Sequence, residues 1–355
     1  MKYKRNRMKR KGSVKMEKML DLVTVGRAGI DFNTTVPNAS FADTPSFEKS
    51  IGGSPANIVQ GAARLGLKTA FIGKVSGDGM GEYILNEFKK QGIETSGVCI
   101  DRTGAKNCLA ITEILSASSS GTYCSEDKNT FHHGTYLYRE NTADLLITPE
   151  EIKEDVIAKA RYVLLSGTAF STEPSRSAMF KVMEYAKKHN TQIVLDIDYR
   201  PFGWKDLNEA SECYQKICSM TDIIIGNREE FDVVEHTTMP DNKDNARSAK
   251  CFLEKGAKLV VVKDGANGST TYGADGTVVE CGVIPTEIVK TFGSGDAYAA
   301  GFMYGILKKE DILYAMQLGS ACAALVLLKL NCAPAMPDYP TAEEHRRKHQ
   351  QEMTK

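Results

Sequence analysis

The sequence lacks several features that would assign it to a specialised class of protein. Lys plus Arg and Asp plus Glu both number 45 in its 355 residues, so no excess of one charge attracts nucleic acid or an anionic membrane. The most hydrophobic stretch, residues 321–330, is shorter than the ~20 residues that a transmembrane helix needs. The nine cysteines are scattered and include no Cys-x-x-Cys pair, which predicts free thiols rather than a disulfide framework. We expect a cytoplasmic protein whose partner is a small molecule, not a nucleic acid or a membrane.

Both ends of the chain are polar. Residues 1–18 carry nine basic side chains and one acidic one, and no apolar core follows them that could act as a signal peptide. We therefore expect residues 1–20 to form a disordered basic tail and residues 341–355 to form a second polar tail that frays. The body, residues 21–340, has the length of one large domain.

Short apolar runs alternate with helical patterns along the body. Five runs have the length and composition of buried strands: 22–25, 162–165, 192–197, 222–225 and 258–262. Helical patterns lie between them, for example over 175–188 and 246–255. This alternation predicts an α/β fold with a mostly parallel sheet and helices on both of its faces.

Two segments do not follow this alternation. Residues 32–51 are rich in turns and end in extended-looking residues, and the residues from 98 onward alternate like strands of a half-exposed sheet. Together, 32–51 and 98–140 predict a small β-sheet lid built from separate parts of the chain. The polar residues 116–133 are expected to form a long loop or hairpin tip within the second segment.

The most informative motif is Lys-Thr-Phe-Gly-Ser-Gly-Asp at 290–296, which runs into a small, apolar, helical stretch at 297–303. The backbone amides of Gly293, Ser294 and Gly295 are expected at a helix N-terminus, where unpaired N–H groups and the helix dipole attract anions. Asp296, beside them, is suited to taking a proton from a nucleophile. The motif predicts a phosphoryl-transfer centre, although a Gly-rich turn with an Asp cap also explains it.

A second glycine cluster reads Gly-Gly-Ser-Pro-Ala-Asn at 52–57. Ser54 as N-cap, Pro55 as first helical residue and Gly66 as the C-terminal stop predict a helix. A helix start alone does not explain the paired Gly52 and Gly53 or the polar Asn57 in the first turn.

Taken together, the two glycine motifs resemble the two signatures of the ribokinase-like (PfkB) family of carbohydrate kinases, and the resemblance extends over residues 21–336. It implies a three-layer α/β/α fold with a mostly parallel central sheet and a small discontinuous β-sheet lid. It also implies phosphorylation of a sugar hydroxyl by ATP with Mg²⁺, in which Asp296 is the catalytic base and the amides of Gly293, Ser294 and Gly295 stabilise the transferred phosphoryl group.

The resemblance carries further roles over to matching positions. Sugar-binding roles go to Asp31, which follows the first strand, and to Gly52, Gly53 and Asn57. The segment Lys-Asp-Gly-Ala-Asn-Gly at 263–268, which is also typical of a hairpin, implies nucleotide contacts by Lys263, Gly265 and Gly268. Nucleotide contacts are also implied for Asn227 and Thr291, and a magnesium site, held through water, for Asn227 and Glu230. Adenine contacts are expected near residues 321–331.

One position departs from the family pattern. The family most often has Asp before the threonine of the late motif, and in some members that aspartate helps to hold an activating monovalent cation. This chain has Lys290 there. Because a fixed ammonium repels a potassium ion, we expect that potassium is not required.

Two arginines favour an acidic substrate. Arg139 follows the expected lid, and Arg200 lies just beyond an expected buried strand, at the edge of the sheet where ligands bind. Family members that act on 2-keto-3-deoxygluconate carry arginines in similar contexts, which implies a sugar acid. A 2-keto-3-deoxygluconate kinase, a fructokinase and a non-catalytic sugar-binding regulator remain alternatives. The resemblance also allows a homodimer formed through the lid.

Overall fold

The computed structural model describes residues 18–114, 130–131, 134–290 and 292–354. The predictions for the basic tail up to residue 17, for most of the loop 116–133 and for Thr291 lie outside these residues.

Fourteen strands form two sheets in the described residues. The strands are β1 (Leu20–Val25), β2 (Gly29–Thr34), β3 (Phe47–Gly52), β4 (Thr69–Val75), β5 (Glu94–Ile100), β6 (Leu109–Thr112), β7 (Thr130–Phe131), β8 (Thr135–Tyr138), β9 (Ala160–Ser166), β10 (Gln192–Asp196), β11 (Ile223–Asn227), β12 (Leu259–Lys263), β13 (Ser269–Gly273) and β14 (Val278–Cys281). The large sheet has the order β14-β13-β12-β11-β10-β9-β1-β4-β5, and the small sheet the order β3-β2-β6-β8-β7. The large sheet is parallel from β5 to β12, and β13 and β14 continue it as antiparallel strands.

Ten α-helices connect and cover the strands in this part of the chain. They are α1 (Ser54–Arg64), α2 (Gly79–Lys90), α3 (Glu154–Ala158), α4 (Ser175–Lys188), α5 (Leu207–Cys218), α6 (Arg228–Glu235), α7 (Asn245–Glu254), α8 (Ser294–Lys308), α9 (Ile312–Leu327) and α10 (Tyr339–Lys348). None of the helices in the described ranges is both long and apolar enough to cross a membrane.

The helices lie on both faces of the large sheet because successive strand residues point to opposite sides. In β1, Val23 packs into one core with helices α3 to α7, whereas its neighbour Leu22 packs into another with α1, α8 and α9. The same alternation separates Val163 from Leu164 in β9. The predicted three-layer α/β fold is confirmed, and each of the five predicted strands overlaps one of β1, β9, β10, β11 and β12.

The small sheet corresponds to the predicted lid, with one difference in its boundaries. It contains β2, β3, β6, β7 and β8, but residues 98–100 belong to β5, at the edge of the large sheet. Val98 lies opposite Gly73 of β4 in a parallel register, so backbone pairing with the large sheet determines where this segment lies. The second segment of the lid therefore begins after residue 100 and not at the predicted residue 98.

The prediction that residues 341–355 fray is wrong. Glu343 and Arg346 of α10 are both buried and form an ion pair of 2.8 Å, and Arg346 also donates to Gln317 Oε1 of α9. Beyond the helix, Met353 is fully buried and its carbonyl oxygen accepts a hydrogen bond from the Gly282 N–H. Paired charges let this polar segment pack, which composition alone does not reveal.

Candidate active site

A cavity of about 530 Å³ lies between the lid and the carboxyl ends of the parallel strands. The strands β10, β11 and β12 end there at Asp196, Asn227 and Lys263, because parallel strands present their carboxyl ends at one edge of the sheet. The cavity brings together most residues that the sequence singled out: Asp31, Gly53, Asn57, Arg200, Asn227, Glu230, Lys263, Gly265, Gly293, Ser294, Gly295 and Asp296.

The loop before α8 has the geometry of an anion-binding site. Gly293 is the N-cap of α8 with φ of 83°, and a Cβ added there would overlap Cys332 Sγ. Only glycine fits this conformation and this space. The first intrahelical hydrogen bond joins the Ala297 N–H to the Gly293 carbonyl, so the loop amides before it lie at the open N-terminus of the helix. The loop in which the motif predicts an anion-binding site therefore borders the cavity.

Asp296 is a half-buried carboxylate beside this loop. Burial raises its pKa to about 7, with a further contribution from the negative charges of Asp198 and Asp196. Asn57 Nδ2 donates a hydrogen bond of 2.8 Å to Asp296 Oδ2, which acts in the opposite direction by stabilising the charged form. A carboxyl group with a pKa near neutrality is suited to general base catalysis.

Lys263 supplies one of the positive charges of the cavity. Its Nζ lies 3.6 Å from Asp196 Oδ1, and about 3.4 Å from the position of a Cβ at Gly295, on the anion-binding loop. Burial acts to lower the pKa of Lys263, but the carboxylates of Asp196 and Glu230 outweigh it, so the pKa is raised and the ammonium stays charged. The side chain can contact an anion held by the loop.

Ser54 does not have its predicted role. Helix α1 begins at Ser54, and its N-cap is Gly53 with φ of 100°. Because glycine occupies the cap position, the Ser54 hydroxyl is not used as a cap and donates instead to Asp196 Oδ2, at 2.9 Å. The sequence signal for a helix start thus concealed a contact within the cavity.

Asn227 and Glu230 form a capping box at the start of α6. The Asn227 side chain accepts from the Glu230 N–H, and the Glu230 carboxylate accepts from the Asn227 N–H, both at 2.8 Å. Among the described residues no group of three or more His, Cys, Asp or Glu side chains is arranged to hold a metal ion. In the same residues, Asp196 Oδ1 is buried without a hydrogen bond, although Lys263 Nζ lies 3.6 Å from it. Carboxylates this few fit Mg²⁺ held mainly by water and phosphate oxygens.

Also in this cavity, Asp31 of β2 lies next to the paired glycines. A Cβ at Gly52 would overlap the carboxylate of Asp31, so the position requires glycine. Burial raises the pKa of Asp31 to about 6, although the positive charges of Arg27 and Lys290 act against this. Asn33, two residues further along β2, donates to Asn331 Oδ1 at 2.6 Å and so links the lid to the segment after α9.

The two predicted arginines are not in the same cavity. Arg200 lines the cavity, and its Nη2 lies 3.0 Å from Asp198 Oδ1. Arg139 lies outside it, in a neighbouring cavity of about 710 Å³, and forms a buried ion pair of 2.8 Å with Asp144. Arg139 also donates to the Thr168 carbonyl oxygen, so its guanidinium has an internal structural role.

Gly268 lies in an adjoining, mostly apolar cavity of about 620 Å³. This second cavity shares Lys263, Gly265, Ser294 and Gly295 with the first. Its wall is formed by Val283, Ile284, Ile288, Tyr298, Ala323, Ala324 and Leu327. Gly268 itself has φ of 91° in the tight hairpin between β12 and β13, so the hairpin interpretation of this segment is confirmed.

Sequence reasoning missed several residues of the cavity: Arg27, Ser54, Asp196, Asp198 and Cys332. The Asp-x-Asp pattern at 196–198, where β10 ends, was a usable signal for two of them. Lys290 was noted only for its charge; its Nζ donates to the Phe292 carbonyl at 2.6 Å and lies 3.0 Å from Cys332 Sγ.

Comparison with known proteins agrees with this geometry. The chain is 42% identical over 318 residues to 5-dehydro-2-deoxygluconokinase 2 of Bacillus cereus, and the match covers 90% of this chain and 92% of the relative. It is 42% identical over 328 residues to 5-dehydro-2-deoxygluconokinase of Bacillus subtilis, covering 92% of this chain and 95% of the relative.

Solved structures share the fold at lower identity. Fructokinase from Xylella fastidiosa, solved with bound ATP, superposes with a TM-score of 0.79 at 20% identity, covering 93% of this chain and 99% of the other. An Escherichia coli protein described as a ribokinase II, solved with ATP and Mg²⁺, gives 0.78 at 20% identity, covering 93% and 100%. The family description "pfkB family carbohydrate kinase" matches residues 19–339. The chain therefore belongs to the pfkB family of carbohydrate kinases.

Proposed function

We propose that the protein is a 5-dehydro-2-deoxygluconokinase, which transfers the γ-phosphoryl group of ATP to the C6 hydroxyl of 5-dehydro-2-deoxy-D-gluconate, a step of inositol catabolism. The observation that carries the proposal is the half-buried Asp296, whose pKa is raised, beside the open N-terminus of α8. The two Bacillus relatives of that name support the choice of substrate.

The mechanism uses groups of this chain at each end of the reacting bond. Asp296 accepts the proton of the C6 hydroxyl as its oxygen attacks the γ-phosphorus atom in line. The amides of Gly293, Ser294 and Gly295, together with the Lys263 ammonium, hold the transferred phosphoryl group and stabilise its charge. Asp31, Gly52, Gly53 and Asn57 position the sugar. Magnesium, held through water by Asn227, Glu230 and Asp196, would neutralise phosphate charge when bound.

The adjoining apolar cavity is the proposed site for the adenine ring. The two cavities meet at Lys263, Gly265 and the α8 loop, where the triphosphate would lie. Ala323, Ala324 and Leu327 of this cavity fall within the range 321–331 in which adenine contacts were expected.

A substrate panel tests the proposed function. We expect ATP consumption with 5-dehydro-2-deoxygluconate to exceed that with fructose by at least ~100-fold in kcat/KM, because a neutral sugar leaves the charged groups of the site unpaired. It should also exceed that with 2-keto-3-deoxygluconate, which keeps the carboxylate but has its keto group at a different carbon. Higher turnover of fructose or of 2-keto-3-deoxygluconate would overturn the substrate assignment. Binding of the acid without turnover would instead indicate a regulator.

The pKa of Asp296 predicts the pH dependence of the reaction. The base must be ionised, so kcat/KM should fall as the pH decreases through about 7. Asn57→Ala removes a hydrogen bond that stabilises the ionised carboxylate, so the pKa should rise and the acid limb should move to higher pH by about 1 unit. The measurement is kcat/KM across the range from about pH 5.5 to about pH 9, which brackets that pKa. Gln60→Ala, one turn along α1, is the control and should leave the acid limb of the pH profile in place. An unshifted acid limb in Asn57→Ala would contradict the role given to Asp296.

We also infer that potassium is not required. The Lys290 ammonium, hydrogen-bonded to the Phe292 carbonyl and close to Cys332, puts a fixed positive charge next to the phosphate loop. A monovalent cation would be repelled from this position. Turnover should be equal within about two-fold in sodium, potassium and tetramethylammonium buffers of the same ionic strength. A rate that depends strongly on potassium would refute this inference.

Two further inferences concern the cellular setting. All eight cysteines in the described part of the chain are free thiols, which supports a cytoplasmic location. Phe41, between β2 and β3, exposes 46% of its surface, and Tyr138, in β8 of the lid, exposes 61%. These exposed aromatic side chains support a homodimer formed through the lid.

A further inference from the structure

Besides Arg200, the cavity contains a second arginine, Arg27, in the loop between β1 and β2. Its backbone is held close to the paired glycines: a Cβ at Gly53 would lie 2.6 Å from the Arg27 carbonyl oxygen. The side chain lines the same cavity as Asp31, Arg200 and the lid residues Thr112 and Leu137. Arg27 is therefore positioned at the sugar-binding end by a backbone that cannot readily shift.

The guanidinium of Arg27 lacks the partners that the other two arginines have. Its Nε is buried and makes no hydrogen bond within the described residues, and its Nη1 donates only to Cys108 Sγ, at 3.4 Å. Sulfur is a weak acceptor. Among the described residues, no carboxylate oxygen lies within 4.0 Å of a guanidinium nitrogen of Arg27, the limit for an ion pair. By contrast, Arg139 is paired with Asp144 and Arg200 with Asp198.

Arg27 nevertheless stays charged. Burial acts to lower its pKa, but the groups Cys108, Asp198 and Asp144 outweigh this effect and the pKa is raised. A buried cation without a close counter-ion is unfavourable unless a ligand supplies the missing charge. A carboxylate matches the planar fork of the guanidinium, whereas a neutral sugar would leave it unpaired.

We propose that Arg27 is the specificity-determining residue that binds the carboxylate of the sugar-acid substrate, in the role that the sequence had suggested for Arg139. This inference rests on the proposed function, because it requires an acidic substrate. Asp296 and Arg27 then bind the two ends of the substrate: Asp296 the hydroxyl that is phosphorylated, and Arg27 the acid group. Arg200, already paired with Asp198, contributes a second, weaker contact.

The test compares Arg27→Met with the parent protein, using 5-dehydro-2-deoxygluconate and its neutral primary amide as substrates. We expect the parent to prefer the acid over the amide by about 100-fold in kcat/KM, and Arg27→Met to reduce this preference to below about 10-fold, because a buried charge pair is lost. The KM for ATP should be unchanged. Arg27→Lys keeps the charge but not the fork, so its preference should be intermediate.

Thermal unfolding separates substrate binding from a structural role. Arg27→Met removes both the cost of burying the charge and its attraction to Asp198 and Asp144. Its melting temperature without ligand should therefore stay close to that of the parent, while the increase caused by the acid should be lost. Arg161→Met is the matched control: Arg161 is 40% exposed and donates to the Leu307 carbonyl, outside the cavity. It should keep both the preference and the increase in melting temperature.

Two results would overturn the proposal: an unchanged preference for the acid in Arg27→Met, or an equal loss of activity toward the acid and the amide together with a lower melting temperature without ligand. Both presuppose that the parent phosphorylates the acid. If the parent does not phosphorylate the acid, the proposed function itself is wrong. Measuring the parent alone therefore distinguishes a failure of the proposed function from a failure of the role given to Arg27.

Discussion

Asp296→Asn is expected to lower kcat by about 10²- to 10⁴-fold, the usual contribution of a general base. The amide has the shape of the carboxylate, and its oxygen can still accept the hydrogen bond from Asn57 Nδ2. It cannot, however, take the proton of the attacking hydroxyl. Single-turnover phosphoryl transfer should therefore slow, while the dissociation constant for ATP, measured by calorimetry, should change less than about three-fold, because the nucleotide contacts lie elsewhere.

Asp311→Asn provides the matched control for this prediction. Asp311 caps the N-terminus of α9, where its side chain accepts from the Tyr314 N–H, and asparagine caps a helix equally well. The control should have parental kcat. Turnover of Asp296→Asn within about ten-fold of the parent would remove Asp296 from the chemical step, since that is below the range of a general base.

Gly293→Ala is expected to lower kcat by about 10²- to 10³-fold, similar to the loss of a donor from an oxyanion hole. The added methyl group must overlap Cys332 Sγ, and the left-handed φ of 83° is unfavourable for alanine. The loop should move, and its amides would then no longer face the transferred phosphoryl group. The free energy of unfolding should also fall, by at least ~1–2 kcal/mol from the backbone conformation alone.

Gly276→Ala separates the loss of kcat from the loss of stability. Gly276 has φ of 89° in the turn between β13 and β14, and a Cβ there would meet no atom within 4 Å. It should lose stability through the same backbone strain and keep its kcat. Adding Cys332→Ala to Gly293→Ala removes the closest overlap, that with Cys332 Sγ, and should restore part of kcat. If Gly293→Ala retained full turnover, the amide cluster would have no role in stabilising the phosphoryl group.

Local patterns predicted the fold and much of the site. The strands β1, β9, β10, β11 and β12 were predicted because strands buried on both faces are continuous apolar runs. The glycines at 52–53 and 293–295 were identifiable because glycine permits tight turns and close backbone approach. Each of these signals is contained in a few neighbouring residues.

Contacts between distant residues were not predictable in this way. Ser54 meets Asp196 and Asn57 meets Asp296 only after folding, across 142 and 239 positions of the chain. Arg139 was misplaced because an arginine after a strand pairs with whichever carboxylate the fold brings near, here Asp144. Arg27 gave no signal, since an arginine that lacks a carboxylate within ion-pair distance among the described residues is recognisable only once its surroundings are known.

The position of Met353 has a practical consequence. The Gly282 N–H donates a hydrogen bond to the Met353 carbonyl oxygen. This bond connects the last described residues to the segment just before Val283, Ile284 and Ile288, which form one wall of the apolar cavity. A truncation that removes Met353 would take away this contact, so we expect it to weaken nucleotide binding at the proposed adenine site. Shortened versions of the protein should therefore keep Met353.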